Sequence, residues 1–276
     1  MKAATSTLQA QLKAQPGIFM TTPKEPNFFS DVEQWQRGLD WYRGLFADAA
    51  STDLAGEAST HYTKLPTHPD TAERLHAIAP ATRLIYVMRH PLDRLVSHFS
   101  HAWLERSINI PIDEATERHT ELTDYGRYAM QIRPWLNRFG PTSILPVFAE
   151  RLRVAPQQEL SRICQFIGFN GQVRWAPHLE DQNVSATRLR DSRWRDRIVF
   201  HPRMIHFRRT FVPQSLRNQV KRRWQMQQRP FLARENEQRL VRIFDEDLAQ
   251  LGNLLGTALN CTNFKSTVTA QPLAWA

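Results

Sequence analysis

The sequence predicts an α/β fold, a mostly parallel sheet with helices on its faces. Three observations carry that expectation. Strand-like apolar runs alternate with helix-period segments through the first 170 residues, an order that builds parallel sheets. The run Leu84-Ile-Tyr-Val-Met88 turns abruptly polar at Arg89 and His90. Pro91 follows, and then Leu92, Leu95, Val96, Phe99 and Trp103 recur at helical spacing, which makes a strand, a tight turn and a helix. Lys2-Ala-Ala-Thr-Ser-Thr-Leu8 is a stretch of small, hydroxylated residues that runs straight into a helical segment ending at Pro16-Gly17.

Taken in order, Ile18 to Thr21 is a short strand, and Pro23 and Pro26 force a loop around Lys24 and Glu25. Trp35, Leu39, Tyr42 and Phe46 share one face of an amphipathic helical segment, and Gly56 to Tyr62 is a weak strand with its end. Asp70 or Thr71 caps a helix that stops before Pro80. Past the stretch at 84–99, residues 113–139 are helical with a break near Asp124–Gly126. Ser143 to Phe148 is a strand in which Pro146 calls for a bulge or an edge position. Pro156 opens a helix that Gly168 stops, with Cys164 on its core face. Residues 171–234 are dense in arginine with interleaved aromatics, Leu240 to Leu255 mark a last amphipathic helix, and the tail after Gly256 has no clear pattern.

The whole of 1–276 reads as one domain, with an α/β core over 1–170 and a basic portion over 171–276 that completes its cleft. A formal net charge of +9 points to an anionic partner. The two cysteines, Cys164 and Cys261, support neither a disulfide framework nor a cysteine zinc site. No apolar run has the length of a membrane span, and residues 1–20 lack the apolar segment of a leader, so a soluble, cytoplasmic protein is expected.

Two places suit a bound anion. Small residues ahead of a helix gather backbone N–H groups at the positive end of its dipole, and Lys2, Thr5, Ser6 and Thr7 add a charge and hydroxyls. Arg89, at the carboxyl end of a strand, offers a planar fork for phosphate oxygens, and Ser97 a directed donor. Taken singly, the ordinary readings are a helix cap, a surface ion pair and a helix-face serine. His90, His98 and His101 invite a metal, but no carboxylate spacing supports one, and the ordinary reading is solvent-facing histidines; no metal is expected.

Together the two places resemble the sulfotransferase family. Lys2 to Leu8 is similar to its 5′-phosphosulfate loop, and Arg89-His-Pro-Leu-Asp-Arg-Leu-Val-Ser97-His-Phe99 to its 3′-phosphate motif, Arg-x-Pro-x-x-Arg-x-x-Ser-x-aromatic. Lys24 to Asp31, Gly38 to Tyr42, Gly56 to Tyr62 and Phe166 to Phe169 resemble, in the expected order, further segments of the branch that acts on heparan sulfate and other glycans. The resemblance covers residues 1–170 well and the final helix loosely. It implies a P-loop-like sheet. It also implies 3′-phosphoadenosine 5′-phosphosulfate (PAPS) as donor, transfer of its sulfuryl group to a hydroxyl or amine of a saccharide or glycolipid, and no metal. Lys2 would act on the leaving group, Ala4 to Thr7 would hold the 5′-phosphate, and Arg89 and Ser97 the 3′-phosphate. Glu25 matches the branch's catalytic base, with His61 as rival, since other branches use a histidine.

Three positions depart from the family's pattern. Ala4 replaces a glycine and is tolerable only with a negative φ. Ala58 stands where the heparan sulfate branch often has a second lysine. No Lys-Gly-Arg-like loop lies near the C-terminus, so an arginine between Arg188 and Arg197 would have to substitute. The loop also starts at residue 2, without the strand that normally precedes such a loop, so a gap in the sheet and a start further upstream are expected. The rival function is non-catalytic binding of a polyanion by the arginine–aromatic segment 188–234, with nucleic acid the less favoured ligand. An ATP-dependent P-loop kinase is disfavoured because Gly-x-x-x-x-Gly-Lys is absent.

Overall fold

A computed structural model describes residues 3–179 and 230–276. Helix α1 (Thr5–Lys13) leads to strand β1 (Ile18–Met20); α2 (Val32–Trp35) and α3 (Gly38–Gly44) lead to β2 (Leu54–Gly56). Then come α4 (Thr71–Ile78), β3 (Leu84–Met88), α5 (Pro91–Leu104), α6 (Ile112–Arg118), α7 (Glu121–Asp124), α8 (Tyr128–Phe139) and β4 (Ile144–Phe148). Helices α9 (Ala149–Val154), α10 (Pro156–Phe166), α11 (Arg234–Leu254) and α12 (Phe264–Ala270) complete the described chain. Every described strand pairing is parallel, with Ile18 opposite Leu54 in one pair of strands and Leu84 opposite Ile144 in the other. Pro146 sits opposite Tyr86 on β4, whose only described partner is β3, so the missing N–H falls on an edge strand.

The boundaries follow local chemistry. Pro91 and Pro156 occupy the first turns of α5 and α10, where their absent N–H costs nothing. Gly17 turns the chain from α1 into β1 at a φ of +93°, which a residue with a Cβ rarely adopts. The amphipathic segment expected through Trp35 and Phe46 is two helices, because Gly38 at a φ of +81° breaks it. The weak strand expected over 56–62 is β2 followed by a 3₁₀ turn at Thr60–Thr63. The tail after Gly256, which showed no pattern, forms α12 and buries Phe264, Val268 and Leu273 in the core.

Two apolar clusters face the strands. Leu8 and Leu12 of α1 join Ile18, Met20, Val147, Leu160, Ile163 and Cys164 in one. The larger one gathers α4, α5, α8, α11 and α12 around Tyr86, Met88 and Phe148. The described strands form two parallel pairs, β1–β2 and β3–β4, with no hydrogen bonds between β2 and β3. A cavity of about 500 Å³ lies there, with Leu54, Gly56, Leu84 and Tyr86 in its lining. No described helix is long and apolar enough to cross a membrane.

Helix α8 has no side-chain cap of its own. Its first amides are taken by Asp247 of α11, which accepts from the N–H groups of Ala129 at 2.9 Å and Met130 at 3.1 Å while itself only 3% exposed. Asp247→Ala is expected to cost about 1–3 kcal/mol in chemical denaturation, because two buried donors lose their acceptor. Asp247→Asn, which keeps one carbonyl oxygen there, should cost clearly less. Equal losses for the two variants would remove the capping role.

Candidate functional site

The turn from β3 into α5 is built from backbone groups that are buried or partly buried and are partnered. The Tyr128 hydroxyl donates to the Arg89 carbonyl at 2.5 Å and accepts from the Arg89 N–H at 3.2 Å. Glu150 accepts the His90 N–H at 2.9 Å. His90 Nε2 donates to the Cys261 carbonyl at 2.9 Å, which fixes its tautomer. Arg89 is thereby held at the carboxyl end of β3, half-buried, with half-buried Ser97 further along the helix that starts at Pro91. Arg94, the second arginine of the motif, points the other way: it is 1% exposed and donates to the Leu122 carbonyl.

The first intrahelical bond of α1 runs from Leu8 N–H to the Ala4 carbonyl at 3.0 Å. The N–H groups of Thr5, Ser6 and Thr7 therefore belong to the open, positive end of the helix, whose first turn carries no acidic residue. Ala4 itself has a φ of +63°, the left-handed conformation, which corrects the expectation of a negative φ. With Ala3 buried at 2% exposure, Ala4 reverses the chain into α1 in a left-handed state that glycine adopts without strain. Downstream, Gln11 and Gln15 exchange paired hydrogen bonds with the backbone of Ala176 and Arg174. Lys2 lies outside the described residues, as do Arg188–Arg197 and nearly all of the segment 188–234.

Glu25 follows β1 with a φ of +61° and its N–H on the Ala58 carbonyl, so the loops after β1 and β2 are tied together. Its Oε1 pairs with Lys24 Nζ at 2.5 Å, and its Oε2 accepts from Thr60 Oγ1 at 2.8 Å. Burial pushes the carboxyl upward, but the hydrogen bond and charge of Lys24, with Thr60, hold it below the ordinary glutamate value. It is thus an ionised acceptor with its side chain 32% exposed, reachable by a substrate hydroxyl. His61, the residue after Thr60, donates from Nδ1 to Asp31 Oδ1 at 2.8 Å. Glu57, at the end of β2, takes hydroxyls from Tyr42, Ser59 and Tyr62 and anchors the loop from below.

The structure therefore brings Glu25, Thr60 and His61 together. Glu25 lies past β1 and Arg89 past β3, both at carboxyl ends of parallel strands, while Thr5 of α1 lines one cavity with Ser59 and Thr60. Three groups were not anticipated from sequence. Tyr128 grips Arg89 from 39 residues away, and Asp31 holds His61 from 30 away; neither carries a local signal. The third is Lys64, only 6% exposed, with its ammonium 5.6 Å from the Tyr125 ring centroid. Burial lowers its pKa to about 8, against the opposing charges of Glu25 and Asp31. The expectation that His90, His98 and His101 face solvent fails for the first two: His90 and His98 are buried. His98 stacks on Tyr125, and burial, with the Arg94 charge, drives its pKa to about 2, leaving it neutral.

The chain matches the family model described as "Sulfotransferase domain" over residues 2–252. It is 30% identical over 181 residues to mouse heparan sulfate glucosamine 3-O-sulfotransferase 6, covering 62% of this chain and 51% of that protein. It is likewise 30% identical over 177 residues to mouse heparan sulfate glucosamine 3-O-sulfotransferase 3B1, covering 60% and 44% respectively. The chain thus spans about half the length of these relatives. A crystallised sulfotransferase from Alicyclobacillus acidocaldarius superposes with a TM-score of 0.66 at 21% identity, over 94% of this chain and 93% of that one, and shares the fold.

Ala4→Gly is expected to stabilise the protein by about 0.5–1 kcal/mol, because glycine accepts the left-handed backbone without a Cβ penalty. A lower unfolding midpoint for the variant would contradict that. For Lys64, the unfolded chain binds the proton more tightly than the folded one, so stability should rise as pH climbs from about 8 toward the ordinary lysine value of about 10.5. Lys64→Met should therefore stabilise the protein at pH 7 by on the order of 1–3 kcal/mol, with the gain vanishing above about pH 10.5. A gain that does not change with pH would show that the ammonium is not penalised by burial.

Proposed function

The chain belongs to the sulfotransferase family, and from that premise we propose that it moves a sulfuryl group from PAPS to a hydroxyl or amine of a saccharide. When bound, the donor supplies a sulfuryl group on a phosphate leaving group, chemistry close to phosphoryl transfer. The amides and hydroxyls of Thr5, Ser6 and Thr7 hold the 5′-phosphate at the uncompensated start of α1. Arg89 and Ser97 hold the 3′-phosphate, the group that separates this donor from ATP. Lys2 is assigned to the leaving group on the resemblance of its loop alone. No metal is assigned to the transfer step.

Glu25 receives the acceptor's proton. Lys24 and Thr60 orient its two oxygens, and the low pKa keeps it ionised and ready to accept. His61 is engaged by Asp31 and is not needed for that step. The saccharide class is carried over from relatives whose names specify heparan sulfate glucosamine. Ala58, where that branch often has lysine, removes one cation from the acceptor side. The observation that supports this reading best is the arrangement of the loops: Glu25 lies past β1, Thr60 past β2 and Arg89 past β3, all at the carboxyl edge of parallel strands.

The test is transfer of radiolabel from PAPS to a panel of heparan-type oligosaccharides. Glu25→Gln should lower turnover by about 10²–10⁴-fold with donor affinity little changed. Arg89→Ala should instead weaken binding of 3′,5′-bisphosphate nucleotide, measured by calorimetry, far more than binding of the 5′-monophosphate. Transfer that survives both substitutions would overturn the assignment.

A further inference from the structure

Asp31, His61 and His68 form a compact group beside Glu25 that the transfer reaction leaves unused. Their ligating atoms all lie within 4.8 Å of one another. Asp31 Oδ1 is 2.8 Å from His61 Nδ1 and 3.8 Å from His68 Nε2, and the two imidazoles stack with centroids 5.0 Å apart at 18°. Donor atoms of a four-coordinate zinc site lie roughly 3.3 Å apart, given metal–ligand bonds of about 2.0–2.1 Å. The two distances from Asp31 bracket that value.

A separate observation concerns His68. Its Nδ1 lies 3.2 Å from the Ser30 backbone carbonyl, an acceptor only, so Nδ1 carries a proton. In the neutral ring, Nε2 then presents a lone pair toward the Asp31 oxygen, at a distance too long for a hydrogen bond. Two electron-rich atoms facing each other across that gap suit a cation between them. A histidine whose second nitrogen donates to a backbone carbonyl is also the usual arrangement of a metal ligand, since the outer bond fixes the tautomer. The Ser30 hydroxyl likewise donates to Asp31 Oδ1 at 2.8 Å and orients the carboxylate.

We propose that Asp31, His61 and His68 bind a divalent transition-metal ion of borderline softness, with zinc as its representative, through three protein ligands and an open position. Imidazole nitrogen with a carboxylate is the donor set such ions favour over calcium or magnesium. Asp31 is ionised. On binding, His61 exchanges its Nδ1–H for the Nε2–H tautomer, which frees Nδ1, His68 binds through Nε2, and one imidazole turns out of the stack so that both in-plane lone pairs meet the ion. The three side chains are 29%, 27% and 18% exposed, so the remaining position opens to solvent. It lies on the acceptor side, since His61 directly follows the threonine that holds Glu25. There it takes water or an oxygen of an incoming saccharide.

The measurement is metal binding to the tag-free full chain, independent of transferase activity. Isothermal titration with zinc chloride should give one equivalent, and zinc should raise the unfolding midpoint. Cobalt(II) should give the visible d–d absorption of a four- or five-coordinate ion. His68→Ala and Asp31→Asn should each weaken zinc binding by at least about tenfold, while His178→Ala, at an exposed histidine elsewhere, should leave it unchanged. If His68→Ala does not fold, as judged by circular dichroism, His61→Asn carries the same comparison. No binding by the wild type, or binding that the Asp31 and His68 or His61 substitutions leave intact, reduces the group to a hydrogen-bonded cluster and overturns the proposal. Loss of transferase activity alone bears on Glu25 and Arg89, not on this site.

Discussion

The peptide groups of His90 are buried and those of Arg89 partly so, and partnering them is the constraint on which the rest of the site depends. A strand that ends under a helix must find partners for its last N–H and C=O groups, since leaving one unmet costs about 1–3 kcal/mol. Here the partners come from three distant elements. Tyr128 of α8 takes both groups of Arg89, Glu150 of α9 takes the N–H of His90, and the loop before α12 supplies Cys261 for the His90 ring. Arg89 can be aimed because its own backbone is clamped. The clamp in turn requires α8, α9 and the C-terminal helices to be where they are.

That requirement explains why the last forty residues are part of the core and not an appendage. Asp247 caps α8, whose first residue is Tyr128. Lys265 pairs with Asp93 in the first turn of α5 at 2.7 Å. Arg151 reaches the Thr269 carbonyl at 3.0 Å, and Trp275 donates to the Ile144 carbonyl at 2.8 Å. Each contact ties α11, α12 or the tail to an element that flanks the strand ends. The other half of the site is held differently. Glu25 is fixed by its neighbour Lys24, by Thr60 and by a backbone bond to Ala58, all within the loops after β1 and β2.

Much of this was legible in the sequence, and the limits have physical causes. The strand, turn and helix at 84–99 were visible because apolar periodicity, Pro91 and the polar break at Arg89 all point the same way. Glu25 stood out through its motif, and its contacts with Lys24 and Thr60 came only from the structure. The helix at Phe264–Ala270 was not, because its pattern is short and its core contacts come from other elements. Gly38 splits a periodic segment that the apolar spacing alone would carry through. Tyr128, Asp31 and Lys64 act through partners far away in the chain, and such pairs leave no trace in a local window. Ala4 shows the opposite failure: the residue type argued for a negative φ, and the demand of the turn into α1 overrode it.

The interruption between β2 and β3 has a mechanical consequence. A continuous parallel ladder would fix the spacing of its strands to a few tenths of an ångström. Here the Glu25 side and the Arg89 side are instead joined by side chains, among them buried Gln131, which binds the backbone of Leu65 from α8. Side-chain packing and single hydrogen bonds are more compliant than a ladder. The distance between the Glu25 side and the Arg89 side is therefore set by side-chain contacts and not by a hydrogen-bonded ladder. A donor that spans α1 and Arg89, as proposed above, would act as a tie across that joint and would set the gap over which Glu25 works.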